Sequence, residues 1–404
     1  LNPKIHICLP VLNEFENIDS FLHVIQQQSY PNFSLYVCVN QPDNWWDRED
    51  KKQICLNNQK SLQRLIEYHE FPVSVVDKSS KGNGWSGKNY GVGWARKTTM
   101  DLASANAEAN DIILSVDADT YYPPNYLLSL AEIFSDSRVI GHTNPYYHKL
   151  TGRIAEDISI LRYELYMRVY HINMLLIDNP FAFTAMGSGM ATTAHQYRKM
   201  GGIAPKLSGE DFYFIQYLKK LGFVSRYNPV KIYPQARFSD RVNFGTGPAM
   251  IKGNRGDWRS YPFYSTELFE QIKNSFDAFE ELFSKEIDFP MKSFIEKQSK
   301  NEQIWNLLKK NHPAKERFVR ACHELTDGLR ILQFLKDAQP KFSKGDEHDL
   351  WENLNHFSRN NSDFASFFST LTFDNQLLTI SSMTTIREEL VKLEDNLLKN
   401  NPIL

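Results

Sequence analysis

Apolar and polar positions follow two rhythms along this chain. Up to about residue 227, short apolar runs alternate with amphipathic stretches. The runs are Ile5–Leu9, Phe33–Val39, Val73–Val76, Ile112–Val116, Val139-Ile140 and Gly222–Tyr227. Runs of that length bounded by polar residues predict buried strands. Pro10 is expected to end the first strand, and Asn17 or Asp19 to cap the helix after it. That helix carries Ile18, Phe21, Leu22 and Ile25 on one face. Further helices are predicted over about 57–70, 125–135 and 153–177, and from Phe212 through Leu218. Strand and helix in alternation predict an α/β fold: a doubly wound, mostly parallel sheet with helices on both faces.

The second rhythm starts near residue 265. Glycine becomes scarce and apolar residues recur at helical spacing, as in Ile272, Phe276, Phe279 and Phe283, or Ile386, Leu390, Leu393 and Leu397. This predicts an all-helical C-terminal region and a division into 1–262 and 263–404.

Composition changes this picture little. The chain has 404 residues, 42% hydrophobic and 23% charged, with a formal net charge of −2. Bulk electrostatics therefore give no reason to expect nucleic acid. No apolar run reaches the roughly 18–20 residues of a transmembrane helix. Cys8, Cys38, Cys55 and Cys322 show no C-x-x-C spacing. Cys8 and Cys38 fall in predicted buried strands and read as core thiols of a reducing cytoplasm.

The candidate chemistry gathers around Asp111–Pro124. The apolar strand there ends in Asp117-Ala118-Asp119. Two carboxylates at the carboxyl end of a buried strand lie where open α/β sheets bind ligands. They would repel each other unless a cation stood between them, and a hard divalent ion would keep positions open for phosphate oxygens. A second acidic pair, Glu210-Asp211, is predicted in the first turn of a helix, where the dipole favours carboxylate. Gly187-Ser-Gly189 would permit close backbone approach to a sugar or acceptor. Arg237, Arg241, Arg255 and Arg259 are candidates to neutralise a diphosphate.

One stretch points elsewhere. Gly82 to Lys88 matches G-x-x-x-x-G-K, and Gly82, Gly84 and Gly87 match G-x-G-x-x-G. A phosphate-loop ATPase or kinase is thus an alternative function, although Asn89 stands where the magnesium hydroxyl should be. A non-catalytic glycan- or nucleotide-binding protein is another. The reading preferred here is a mobile loop in which Lys88 and backbone N–H groups help hold a diphosphate.

Five stretches in order resemble the family 2 glycosyltransferases, inverting enzymes of GT-A fold. They are Pro10-Val-Leu-Asn-Glu14, Gln28–Phe33, Gly87-Lys-Asn-Tyr-Gly91, the D-x-D strand, and Gly187-Ser-Gly189 followed by Gly209-Glu-Asp211. The resemblance covers about 5–245. It implies that 1–262 is a catalytic domain binding a UDP- or GDP-linked sugar as donor. It implies that Pro10, Asn13 and Glu14 meet the base and ribose. Asn40 or Asp43 would read the base, and Gly87 and Lys88 would lie over the nucleotide. Asp117, Ala118 and Asp119 would line the donor, with Asp117 and Asp119 on Mn²⁺ or Mg²⁺. Asp211 would be the general base, with Glu210 beside it. No histidine follows that pair before His312, so Asp240 is the candidate for a further metal ligand. The Q-x-x-R-W signature of processive synthases is absent, and Arg255–Arg259 only echoes it. The implied activity is transfer of one hexosyl or N-acetylhexosaminyl unit to a glycan or lipid-linked acceptor in polysaccharide biosynthesis. The implied setting is cytoplasmic, with contact at the inner face of the membrane left open.

Overall fold

The computed structural model describes residues 2–239, 245–373 and 376–400. Asp240 and Arg241 lie outside them. The strands are β1 (Ile5–Val11), β2 (Phe33–Asn40), β3 (Val73–Lys78), β4 (Ile112–Ser115), β5 (Thr120–Tyr121), β6 (Val139–Thr143), β7 (Met190–Thr193), β8 (Phe223–Ser225) and β9 (Tyr233–Pro234). Seven form one sheet in the order β3-β2-β1-β4-β7-β6-β8, and β5 pairs with β9 in a separate ribbon. Only β7 opposes its neighbours β4 and β6; the remaining ladders of the sheet are parallel. The sheet is therefore mostly parallel, as the alternation of runs predicts.

Every residue of β1 and β2 is buried. That is why these strands read as unbroken apolar runs. Each fully buried Val, Leu or Ile contributes about 1.5–3 kcal/mol. β1 does not stop at Pro10 but runs through it to Val11. β4 pairs only with Ile5–Cys8, so Pro10 lies beyond that ladder and its missing N–H is tolerated there.

The helices among the described residues of this part are α1 (Phe15–Gln26), α2 (Lys52–Ile66), α3 (Val92–Ala105), α4 (Tyr126–Ile133), α5 (Ile154–Leu176), α6 (Ala194–Lys199), α7 (Glu210–Leu221) and α8 (Thr246–Gly253). α1 begins before both predicted caps, and Asn17 instead donates from Nδ2 to Glu14 Oε2 at 2.6 Å.

The chain divides into two compact units. The first comprises residues up to Asp157 together with Phe183–Ile251. The second takes Ile158–Ala182 and the chain from Lys252 onward, so most of α5 is counted with the C-terminal helices. Within the second unit, Leu161, Leu165, Val169 and Ile172 of α5 share a core with Leu350, Leu354, Phe357, Ile386, Leu390 and Leu393. A buried ion network accompanies it. Arg168 bonds Glu164 at 2.6 Å and also Glu394, which meets His171 at 2.5 Å.

Candidate active site

The carboxyl ends of β1, β2 and β4 are brought level by their register. Val11 lies beside Val39, and Ser115 beside Cys8. Asn40 ends β2, and the segments leaving β1 and β4 carry Glu14 and Asp117. The D-x-D turn is held from behind by Tyr122, whose hydroxyl accepts from the Asp117 N–H at 3.0 Å and donates to Ser188 O at 2.8 Å.

Arg96 of α3 joins the two acidic pairs. Its side chain is 3% exposed. It donates from Nη2 to Asp117 Oδ1 at 3.1 Å and from Nε to Glu210 Oε1 at 3.1 Å. Nη1 donates to Gly187 O at 2.8 Å and to Ser115 Oγ. Burial alone would lower the guanidinium pKa, but Asp117, Glu210 and Asp211 together hold it above its ordinary value. The Gly187–Gly189 turn thus packs against Arg96 and Ile232. A Cβ on Gly187 would lie 2.7 Å from Arg96 Nη2, and one on Gly189 2.5 Å from Ile232 Cδ1.

α7 starts from Gly209 in the left-handed region, at φ 75°, which puts Glu210 and Asp211 in its first turn as predicted. Glu210 is buried, while Asp211 is part-exposed. Burial and then the Glu210 charge push the Asp211 carboxyl up to about 7, against the pull of Arg96 and of the Phe212 N–H. A carboxyl poised there can accept a proton near neutral pH.

Of the three candidate arginines among the described residues, Arg237 reaches the site. Its Nη2 meets Asp119 Oδ2 at 2.5 Å and also Glu14 Oε1. Arg255 is exposed, and Arg259 pairs with Asp257 at 2.9 Å; both belong to the second unit.

The other predicted positions are placed as follows. Pro10 is buried within β1, and Ala118 is buried in the D-x-D turn. Asn13 has φ 57° and donates its N–H to Asn58 Oδ1 at 2.7 Å. Asn40 is buried, with Nδ2 on Val11 O at 2.9 Å and Oδ1 accepting from Trp85 Nε1 at 3.1 Å. Asp43 accepts from the N–H groups of Gly82 at 2.7 Å and Gly84 at 3.3 Å. Asp77 holds the same loop, accepting from Ser79 N and Ser80 N, both at 2.9 Å. The first half of the glycine loop is therefore anchored. Gly87 and Lys88 are exposed beyond that anchor. Lys88 precedes the first residue of α3, Val92, by a further turn, so it does not open a helix as the lysine of a phosphate loop does.

Residues 112–255 match the protein family described as glycosyl transferase family group 2. That segment is similar to this glycosyltransferase family. It holds Asp117, Asp119, Glu210, Asp211 and Arg237, whereas Glu14 and Arg96 precede it. Solved glycosyltransferases are also similar. A mannosyltransferase from Pyrobaculum calidifontis, in complex with GDP-Man and Mn²⁺, is 14% identical over 98% of this chain and 88% of its own, with a TM-score of 0.43. S. aureus TarS 1–349, in complex with UDP-GlcNAc, is 12% identical over 84% of this chain and 92% of its own, with a TM-score of 0.41. No match was found among curated protein sequences.

Sequence reasoning did not find Arg96. The available signal was a charged residue on the buried face of α3, among Gly93, Ala95, Thr99, Met100 and Ala103.

Proposed function

We propose that this glycosyltransferase moves one sugar from a nucleoside diphosphate sugar to a hydroxyl of a glycan or lipid-linked acceptor, with inversion and with Asp211 as general base. The observation that carries the reading is the pair of acidic sites held apart yet joined through Arg96. One is at the D-x-D turn, and the other opens α7.

Asp211 takes the proton of the acceptor hydroxyl as its oxygen attacks the anomeric carbon. The bond from that carbon to the phosphate oxygen breaks, and the diphosphate leaves with the electron pair. Glu14, Asn40 and the Gly82–Lys88 loop border the nucleotide. Asp43 supports that loop from beneath.

Asp117 and Asp119 would hold Mn²⁺ or Mg²⁺. Both carboxylates keep some exposure, 34% for Asp117 and 19% for Asp119, and each is paired with an arginine, Arg96 and Arg237, whose contact an ion would share or displace. The D-x-D turn thus supplies two carboxylates, and magnesium commonly takes one or two with substrate phosphates. Such an ion would offset the charge on the leaving diphosphate. No helix among the described residues is long and apolar enough to cross a membrane. The four cysteines are buried and free, which supports a cytoplasmic setting.

The test is Asp211→Asn. Nucleotide-sugar binding should persist while transfer falls by a factor of about 10²–10⁴. Retained turnover would overturn the assignment of the base.

A further inference from the structure

Arg237 bridges two carboxylates that come from distant parts of the chain. Glu14 is the residue before α1, and Asp119 closes the D-x-D turn. The backbone places the arginine there, because the Gln235 N–H donates to Asp119 O at 3.0 Å and extends the β5–β9 ribbon. Along this segment Tyr233, Gln235 and Arg237 alternate with buried Ile232, Pro234 and Ala236.

The guanidinium is only partly used. It has five N–H donors. Both carboxylate contacts fall on Nη2, and Nε is buried with no partner among the described residues. A buried, unpaired arginine donor is costly unless another acceptor arrives. The planar donor fork suits a phosphate.

We propose that Arg237 is an exchangeable counter-ion. In the free protein it neutralises Asp119 and Glu14; when a divalent cation engages Asp119, its guanidinium turns to the diphosphate of the donor. This rests on the glycosyltransferase reading above. The Arg237 guanidinium is shared between the two carboxylates in the free site. A divalent ion at Asp119 makes the arginine redundant there and repels it, while the incoming diphosphate supplies the acceptor that Nε lacks.

The competition is directly measurable. An arginine beside an aspartate weakens binding of a competing proton by 1–3 pKa units. Removing it should therefore tighten Mn²⁺ binding by roughly tenfold or more. The experiment is a calorimetric titration of the full chain with Mn²⁺ alone, then with UDP and GDP, each with and without Mn²⁺. Arg237→Gln should bind Mn²⁺ alone more tightly and the diphosphate more weakly than wild type. Arg237→Lys should keep the competition for Asp119 but lose diphosphate affinity, since it offers no fork. It also serves if the glutamine variant does not fold. Unchanged Mn²⁺ affinity in Arg237→Gln, or unchanged diphosphate affinity in either variant, overturns the proposal while leaving the glycosyltransferase reading intact. Wild-type protein that binds neither UDP nor GDP under any condition overturns both.

Discussion

Arg96 donates from Nε to Glu210 at 3.1 Å, and both side chains are almost wholly removed from solvent. The bond joins α3 to the first turn of α7 across 114 positions of sequence. Breaking one partner of such a pair leaves an uncompensated buried charge, at a cost of about 3–5 kcal/mol. Arg96→Met should lower stability by that order in a denaturant melt. Combining it with Glu210→Gln should recover part of the loss, since residues in one network do not add.

Asp211 should show itself in the pH dependence of both rate and stability. Its carboxyl is pushed up to about 7, first by burial and then by Glu210. As a base it works ionised, so the transfer rate should rise with pH through about 7 and level off above. The stability effect has the opposite sense. The folded carboxyl keeps its proton to higher pH than the unfolded one, whose pKa is about 3.9. The unfolded state therefore binds fewer protons between those values, and stability falls as pH rises across that window. Asp211→Asn should accordingly raise the Tm at pH 8 more than at pH 4, while transfer falls by the factor given above. Equal Tm gains at both pH values would show that its ionisation carries no such cost.

Asp43 holds the glycine loop through two backbone N–H groups rather than standing open to a base. Asp43→Ala should remove about 1 kcal/mol of net hydrogen bonding. Amide exchange across Gly82–Trp85 should quicken, and donor affinity should weaken if the loop borders the nucleotide. Exchange unchanged from wild type would mean that Asp77, whose carboxyl hydrogen bonds hold its pKa down to about 2 against burial, suffices alone.

Gly187 is needed for space. Gly187→Ala would set a methyl 2.7 Å from Arg96 Nη2 and 3.1 Å from its Cζ. Overpacking of this kind costs about 1–3 kcal/mol. The melt should shift by that order, and transfer should fall because the guanidinium is pushed from Asp117.

What was legible in the sequence was what local pattern encodes. The apolar runs of β1, β2 and β4, the turn at Asp117-Ala118-Asp119, and the helix opened by Glu210 and Asp211 all follow from residues close together in the chain. The arginines did not follow. Arg96 looks like any helix residue until α3 is packed beneath β4, and Arg237 was one of four equivalent candidates until the ribbon set it beside Asp119. Asn40 closes β2 and Asp43 follows it, and what the sequence does not reveal is that their side chains also hold Val11, Trp85 and the glycine loop. β7 was not among the predicted strands at all, because Met190-Ala-Thr-Thr193 is a short stretch of small and hydroxyl residues rather than an apolar run.

The path of α5 has a practical consequence. The chain leaves the first unit at Ile158, contributes Leu161, Leu165, Val169 and Ile172 to the core of the second, and re-enters the first at Phe183. The catalytic part is therefore not a cassette that one cut can release. A chain ended at residue 262 would keep that greasy stripe of α5 while discarding Leu350, Leu354, Phe357, Ile386 and Leu390, which cover it. Separating the two units takes cuts on both sides of Ile158–Ala182 as well as one after Ile251.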